Sequence, residues 1–168
     1  YGDHRDLPSF PTRRSSDLTN SAILPPQYIA ENAVIDRSII GNGCEIYGEV
    51  HNCVISAGVT IEEGAVVRDS IIMSDCMIGK GCVIDKSIIA ENTKIGEGAI
   101  LGIGSEEPNK LKPAVYSFGL VTIGENSVIP DHVQIGKNTA ISGITNKEDY
   151  PDGVLGSGET LIKAGEIA

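Results

Sequence analysis

Histidine is the side chain best suited to general acid–base catalysis near neutral pH, and the chain contains His4, His51 and His132. His132 is the best candidate for a catalytic base. It also stands where a sharp turn is expected, however, and histidine tolerates the positive φ that such a turn requires. His51 is interpreted as a solvated turn residue, and His4 lies in a segment unlike the rest of the chain. A zinc site of three histidines needs all three to converge, so we predict none.

The cysteines could act as nucleophiles, metal ligands or disulfide partners. No Cys-x-x-Cys pair occurs, and no electropositive setting that would activate a thiolate is visible. We therefore expect reduced, buried thiols that pack as small hydrophobic residues. The four cysteines are Cys44, Cys53, Cys76 and Cys82.

Three lysines in irregular segments, Lys110, Lys112 and Lys163, could hold a phosphate-bearing effector or could simply be solvated. The only glycine-rich candidate for a phosphate loop, "LGIGSEEP", has just Gly102 and Gly104 and is a weak signal. We assign no catalytic, cofactor-binding or metal-binding residue.

Composition limits the classes of partner. The chain has 168 residues, of which 40% are hydrophobic, enough for one domain with a core. A net charge of −10 disfavours nucleic acid and anionic membranes as partners. Neither a membrane-length apolar run nor a secretory hydrophobic region occurs, so we expect a cytoplasmic protein.

Isoleucine recurs at a spacing of six residues, as in "IIMSDCMIGKGCVI". That spacing matches neither the period of a helix nor that of a half-buried strand. With the isoleucine counted as position 1 of the repeat, position 4 is Gly, Asn, Asp or His, and position 5 is small or β-branched. The repeats begin at Ile29, Ile40, Ile55, Ile61, Ile72, Ile78, Ile89, Ile95, Ile123, Ile129 and Ile135.

This repeat predicts a triangular coil in which isoleucine and the small residue point inward and the fourth residue turns the corner. Coils would stack by parallel strand pairing at about 4.8 Å. The predicted fold class is an all-β, left-handed parallel β-helix with hexapeptide repeats and triangular coils. Its handedness is taken from the class. We expect a linker over residues 19–28, a β-helix over 29–144 with a projecting loop at 104–120, and a C-terminal tail over 145–168.

The stretch "SFPTRRSSDL", residues 9–18, fits nothing downstream. All ten residues match the translation of a common short-read sequencing adaptor. We therefore interpret residues 1–18 as an adaptor-derived scar without ordered structure and exclude them from reasoning about the fold. The natural sequence upstream of Thr19 is then expected to be missing.

Residues 24–73 closely resemble the start of the C-terminal β-helix of bacterial glucose-1-phosphate adenylyltransferases, and the resemblance continues through residues 121–138. Some of these motifs are much narrower than the general hexapeptide repeat. The matching elements are Pro25-Pro26-x-Tyr28, Ser38-x-Ile40-x-x-Gly43-Cys44, Gly48-Glu49-Val50 and Ser70-Ile71-Ile72-Met73.

The resemblance implies an enzyme of glycogen biosynthesis that makes ADP-glucose and pyrophosphate from ATP and glucose 1-phosphate with Mg²⁺. Catalysis in that family belongs to an N-terminal domain absent from this sequence, so no catalytic residue is carried over and the fragment itself should be inactive. The implied partners are that domain, other subunits of a homo- or heterotetramer, and a sugar-phosphate effector.

The resemblance also has a departure and two alternatives. Plant and cyanobacterial relatives carry an effector lysine where this sequence has Glu125, which argues against phosphoglycerate-type activation at that position. One alternative is a stand-alone hexapeptide acyltransferase that uses His132. The other is a structural β-helix from a noncatalytic paralogue or another sugar nucleotidyltransferase.

Overall fold

Three parallel β-sheets run the length of the molecule and enclose its core. The computed structural model describes residues 23–163. The interpretation of residues 1–18 as a scar therefore lies outside the described residues, as do the first part of the predicted linker and residues 164–168. We call the sheets A, B and C, in the order in which each coil of the chain visits them.

Each coil contributes one short strand to each sheet. Sheet A contains β1 (Tyr28–Ile29), β4 (Glu45–Ile46), β7 (Thr60–Ile61), β10 (Met77–Ile78), β13 (Lys94–Ile95) and β16 (Val128–Ile129). Sheet B contains β2 (Val34–Asp36), β5 (Glu49–His51), β8 (Val66–Arg68), β11 (Val83–Asp85), β14 (Ile100–Ile103), β17 (Gln134–Gly136) and β19 (Val154–Leu155). Sheet C contains β3 (Ile39–Ile40), β6 (Val54–Ile55), β9 (Ile71–Ile72), β12 (Ser87–Ile89), β15 (Val121–Ile123), β18 (Thr139–Ser142) and β20 (Thr160–Ile162).

The isoleucines of the hexapeptide repeat form the core. Those from Ile55 to Ile135 are at most 2% exposed, stacked one coil above another. Identical side chains meet at paired positions, as in Ile61 opposite Ile78. The prediction of an all-β parallel β-helix is confirmed, and in the coils of these isoleucines aliphatic side chains fill the core in place of large aromatic ones.

The corners lie where the repeat predicts them. The fourth residue of every repeat except the first has a positive φ, and the exception is Asn32. Four further corners were not foreseen, because Arg37, Asn52, Asp69 and Lys86 have positive φ values between sheets B and C, outside the hexapeptide repeat. Asparagine and aspartate tolerate this left-handed region, but in the arginine and the lysine the backbone is strained.

The second coil is two residues short, and the shortening lies at the corner between sheets A and B. Only Tyr47 and Gly48 join β4 to β5, whereas residues 30–33 join β1 to β2. As a result, Val34 pairs with Glu49, 15 positions later, whereas Tyr28 on sheet A pairs with Glu45, 17 positions later. The tighter corner leaves a notch of about 460 Å³ between its neighbours.

The β-helix continues beyond the predicted boundary at residue 144. Ile144 bridges to Val128, β19 pairs with β17, and β20 pairs with β18, which makes a seventh, incomplete coil. Two 3-10 helices, Lys147–Asp149 and Pro151–Gly153, fill the first part of this coil. Burial raises the pKa of Tyr150 to about 12, and its hydroxyl oxygen lies 2.7 Å from the hydroxyl oxygen of Thr145.

The two ends of the β-helix differ in how well the core is covered. At the C-terminal end, Tyr150 and Leu155 are only 2% and 5% exposed. At the N-terminal end, Ile29 is 39% exposed, although its paired residue Ile46 is fully buried. Within residues 23–163 no helix is long and apolar enough to cross a membrane.

Candidate functional site

His132, the candidate base, lies at an exposed corner with a φ of 60°. Its backbone N–H donates to the carbonyl oxygen of Glu97 (2.8 Å), and its imidazole lies beside Gly98 of the coil above. Within the described part of the chain, no carboxylate is hydrogen-bonded to the ring to orient it as a base. This geometry supports the structural interpretation of His132 as a corner residue.

His51 is not a solvated turn residue, as the sequence suggested, but the last residue of β5. It is half-buried, and its Nε2 lies 3.3 Å from Oε2 of Glu49. The strand register places it between Asp36 and Arg68. The sequence did not indicate this position, because the corner that precedes β5 is two residues shorter than the others. His51 therefore falls within the strand and not in the turn that follows it.

All four cysteines are buried and reduced. Burial raises the pKa of every thiol, so the nucleophilic thiolate is disfavoured. The thiols instead act as hydrogen-bond donors: Sγ of Cys44 and Cys82 each lie 2.9 Å from a backbone carbonyl oxygen of the next coil. The arrangement is structural.

Two of the three candidate phosphate-binding lysines already have carboxylate partners. Nζ of Lys110 lies 3.0 Å from Oε1 of Glu159. Lys163 pairs with Asp149, and its ammonium holds the pKa of that carboxyl below the usual value. Lys112 is exposed. A phosphate bound by Lys110 or Lys163 would compete with these carboxylates.

The loop of residues 104–120 is held against the last coils by two asparagine side chains. Asn109 is 2% exposed; its Nδ2 donates to the carbonyl oxygen of Asn138 (2.8 Å), and its Oδ1 accepts from the N–H of Lys112 (2.8 Å). The Asn138 side chain donates to Glu107 O and accepts from Gly119 N–H, both at 2.8 Å. The loop is thus a specifically attached part of the fold.

A groove runs between this loop and the outer face of sheet C. One part, about 480 Å³, is bordered by Lys110, Leu111 and Ile162. A smaller part, about 220 Å³, lies beneath Tyr116 and also touches Ile162. The groove has an apolar floor and one ion pair at its rim, and neither a thiol nor an imidazole lines it. Its lining therefore suits binding better than catalysis.

Sequence reasoning missed Asn109 and Asn138 as the residues that attach the loop. Asn138 was identified only as a corner residue, and its φ of 56° agrees with that role. Asn109 lies between prolines in a segment without periodicity, and no local pattern indicates that its side-chain amide is buried. Its burial follows only from the folded structure, in which the loop packs against the final coil.

Glu125, at the position of the effector lysine in some relatives, lies in the exposed turn after β15. Its neighbour Asn126 has a φ of 56°. The side chain therefore points away from the packed interior and is accessible to a ligand.

Comparison with known proteins supports the resemblance found in the sequence. The family model described as "GlmU-like, C-terminal hexapeptide" matches residues 30–123. Glucose-1-phosphate adenylyltransferase of Lachnospira eligens is 66% identical over 148 residues, which are 88% of this chain and 35% of the relative. The enzyme of the same name from Acetivibrio thermocellus is 41% identical over the same proportions. The chain thus spans about a third of the length of these relatives, in their C-terminal part.

Among solved structures, PerB from Caulobacter crescentus, in complex with CoA and GDP-perosamine, matches with a TM-score of 0.42 and 17% identity. The match covers 84% of this chain and 53% of PerB. A likeness at this level carries no argument about function. The family match extends over more than half of the chain, and the chain therefore belongs to the GlmU-like C-terminal hexapeptide family.

Proposed function

We propose that this chain is the C-terminal β-helix of a glucose-1-phosphate adenylyltransferase, where it serves subunit contact and regulation rather than catalysis. The observation that carries the proposal is the 66% identity to the Lachnospira eligens enzyme over nearly the whole β-helix. In this proposal the preceding part of the longer protein binds ATP, Mg²⁺ and glucose 1-phosphate and makes ADP-glucose for glycogen synthesis in the cytoplasm.

The open first coil supports a role within a larger protein. Ile29 is 39% exposed, whereas Ile46 below it is fully buried. Solenoids need a polar terminal cap to remain soluble, and this coil has apolar core positions instead. In the proposal, the preceding domain covers this end.

Joining this chain to the preceding two thirds of the Lachnospira eligens enzyme should restore a complete, active protein. The expected result is ADP-glucose and pyrophosphate formation by the chimera and none by residues 19–168 alone. The control is the Lachnospira eligens catalytic part without any β-helix. A folded chimera that turns over no faster than this control would contradict the proposal.

The charge of Glu125 leads to a second prediction for that chimera, which concerns effector binding. A carboxylate repels a phosphate-bearing effector and a lysine attracts it, a difference of about 1–3 kcal/mol judged from charged hydrogen bonds. Glu125→Lys should therefore tighten 3-phosphoglycerate binding about tenfold or more, as read from activation curves. Glu125→Gln is the control that removes the charge alone. Strong activation of the unsubstituted chimera that Glu125→Lys weakens would show that Glu125 is not at an effector site.

A further inference from the structure

The outer face of sheet C changes where the loop of residues 104–120 lies against it. In the first four coils, one column of outward side chains consists of large aliphatic residues, which are Ile39, Val54, Ile71 and Ile88. In the last three coils, the same column consists of Thr122, Ala140 and Thr160. Two residues further along the strands, Gly124 and Ser142 are also small. The groove between loop and sheet therefore exists because small side chains replace large ones beneath the loop.

Three hydroxyl-bearing side chains line the smaller part of this groove, and they are Tyr116, Thr122 and Ser142. Among residues 23–163, none of these three hydroxyls is hydrogen-bonded to another residue, and none is sealed off from solvent. By contrast, the hydroxyl oxygen of Thr160, in the larger part, lies 3.0 Å from Nδ2 of Asn109. A hydroxyl group can both donate and accept hydrogen bonds. A ligand in the smaller part would thus meet three free groups that can act in either direction.

The charges at the groove balance each other. Nζ of Lys110 lies 3.0 Å from Oε1 of Glu159, and these are the only charged residues that line the groove in the described part of the chain. An anionic ligand would compete with Glu159 for the ammonium, and a cationic ligand would compete with Lys110 for the carboxylate. Both groups keep spare hydrogen-bonding capacity for a neutral hydroxyl group. The lining therefore favours an uncharged ligand that is rich in hydroxyl groups.

The remaining lining residues would contact an apolar surface of the ligand. Tyr116 is half-buried and, within the described ranges, is the one aromatic residue that lines the groove. Leu111, Ala140 and Ile162 add aliphatic surface. A tyrosine combines a large apolar ring with a polar tip. The glucose ring in its chair form has a matching character, because its faces present C–H groups and almost all of its hydroxyls lie around its edge.

We propose that this groove binds an uncharged chain of α-linked glucose units, with one sugar ring packed against Tyr116. The larger part, about 480 Å³, lies within the usual range for small-molecule sites. The smaller part continues it past Ile162, which lines both, and an elongated groove suits a chain better than a single compact molecule. Hydroxyls of a neighbouring sugar ring would bond to the Lys110–Glu159 pair.

The lining residues indicate a neutral, hydroxyl-rich ring, and the choice of glucose rests on the proposed function. A protein that makes an activated glucose would be held by this site at the polymer that receives the glucose. The site is separate from the corner of Glu125, where an effector was considered, because Glu125 does not line the groove. The inference therefore concerns a second ligand of the same chain.

Nuclear magnetic resonance of the chain during titration with maltotriose tests the site. We expect the backbone amide signals of Thr122, Ala140 and Thr160 to shift together, with one dissociation constant in the millimolar range, because the groove leaves much of the sugar in water. Inorganic phosphate is the control ligand and should leave these signals in place. The absence of shifts with maltotriose, or equal shifts with phosphate, would overturn the proposal.

Tyr116→Ala should raise the dissociation constant for maltotriose at least about tenfold, because the sugar loses the ring it packs against. Tyr28→Ala is the matched control: Tyr28 is a 55% exposed tyrosine on sheet A and does not line the groove. It should bind maltotriose like the unsubstituted chain. Equal weakening by the two substitutions would count against a site beneath Tyr116.

Thr122→Ile separates loss of the site from loss of the loop's structure. Isoleucine is the residue that the preceding coil carries at the same position, Ile88, so the strand should accept it. Its larger side chain fills the floor of the groove, and binding should again weaken at least about tenfold. The side-chain amide signals of Asn109 and Asn138 should stay in place, because the loop remains attached. Full binding by folded Thr122→Ile would overturn the proposal.

The sugar site and the proposed enzymatic function fail separately. An active chimera whose β-helix binds no maltotriose would remove the sugar site and leave the enzymatic assignment intact. Maltotriose binding in the groove together with an inactive chimera would keep the sugar site and remove the assignment as a glucose-1-phosphate adenylyltransferase.

Discussion

Cys82→Arg is expected to abolish cooperative folding, whereas Cys82→Ala should lower the free energy of unfolding by only about 1 kcal/mol. Cys82 is fully buried, and so are Ala65 and Ala99, which occupy the same position in the coils above and below. The column therefore has room for small side chains only. Alanine loses one sulfur atom and a weak S–H donor to the carbonyl oxygen of Gly96.

Arginine at this position would have to bury a charge without a partner. That costs several kcal/mol or more, a large share of the roughly 5–15 kcal/mol that holds a typical domain together. Met77→Arg is the control, because Met77 lies in the same coil but is 47% exposed on sheet A. It should melt like the unsubstituted chain.

Urea denaturation followed by circular dichroism measures these differences, and thiol labelling gives an independent check. The native protein should label at Cys82 only after denaturation, because the thiol is buried and its pKa is raised. A cooperative, unshifted unfolding curve for Cys82→Arg, or rapid labelling of the native thiol, would show that residue 82 does not point inward.

The sequence predicts the core and corners well because both are local properties of a repeated hexapeptide. An isoleucine at the first position and a residue tolerant of positive φ at the fourth are repeated often enough to set the register. That register placed Cys44, Cys76 and Cys82 in the interior and His132 at a corner, as the structure has them.

The seventh coil was missed although its repeat can be read. Leu155 and Leu161 are six residues apart and continue the inward columns of Ile135 and Ile141. The repeat was defined by isoleucine at its first position, and leucine replaces isoleucine here. Gly158, the fourth residue of this repeat, has the expected positive φ of 75°.

The attachment of the loop depends on the assembled structure. Asn109 bonds to residues about 30 and 50 positions later, and no local pattern records such distant contacts.

The last prediction concerns the short corner of the second coil. A Cβ on Gly48 would lie 2.3 Å from the carbonyl oxygen of Ala65 and 2.9 Å from that of Glu62. The same Ala65 oxygen accepts the N–H of Glu49 at 2.8 Å, so neither backbone can move without breaking a strand contact. Gly48→Ala should therefore cost about 3 kcal/mol, the upper part of the usual range for overpacking.

Gly81 separates this steric requirement from a conformational one. Gly81 has a φ of 65°, and a Cβ there would meet nothing within 4 Å, so Gly81→Ala should cost about 1–2 kcal/mol of left-handed strain. Asparagine relieves that strain, and Gly81→Asn should cost less than Gly81→Ala. Gly48 has no positive φ, so Gly48→Asn should be at least as destabilising as Gly48→Ala. Urea midpoints for the four variants decide between these causes: if asparagine rescued Gly48 as it rescues Gly81, the short corner would be a matter of backbone conformation, not of contact with the third coil.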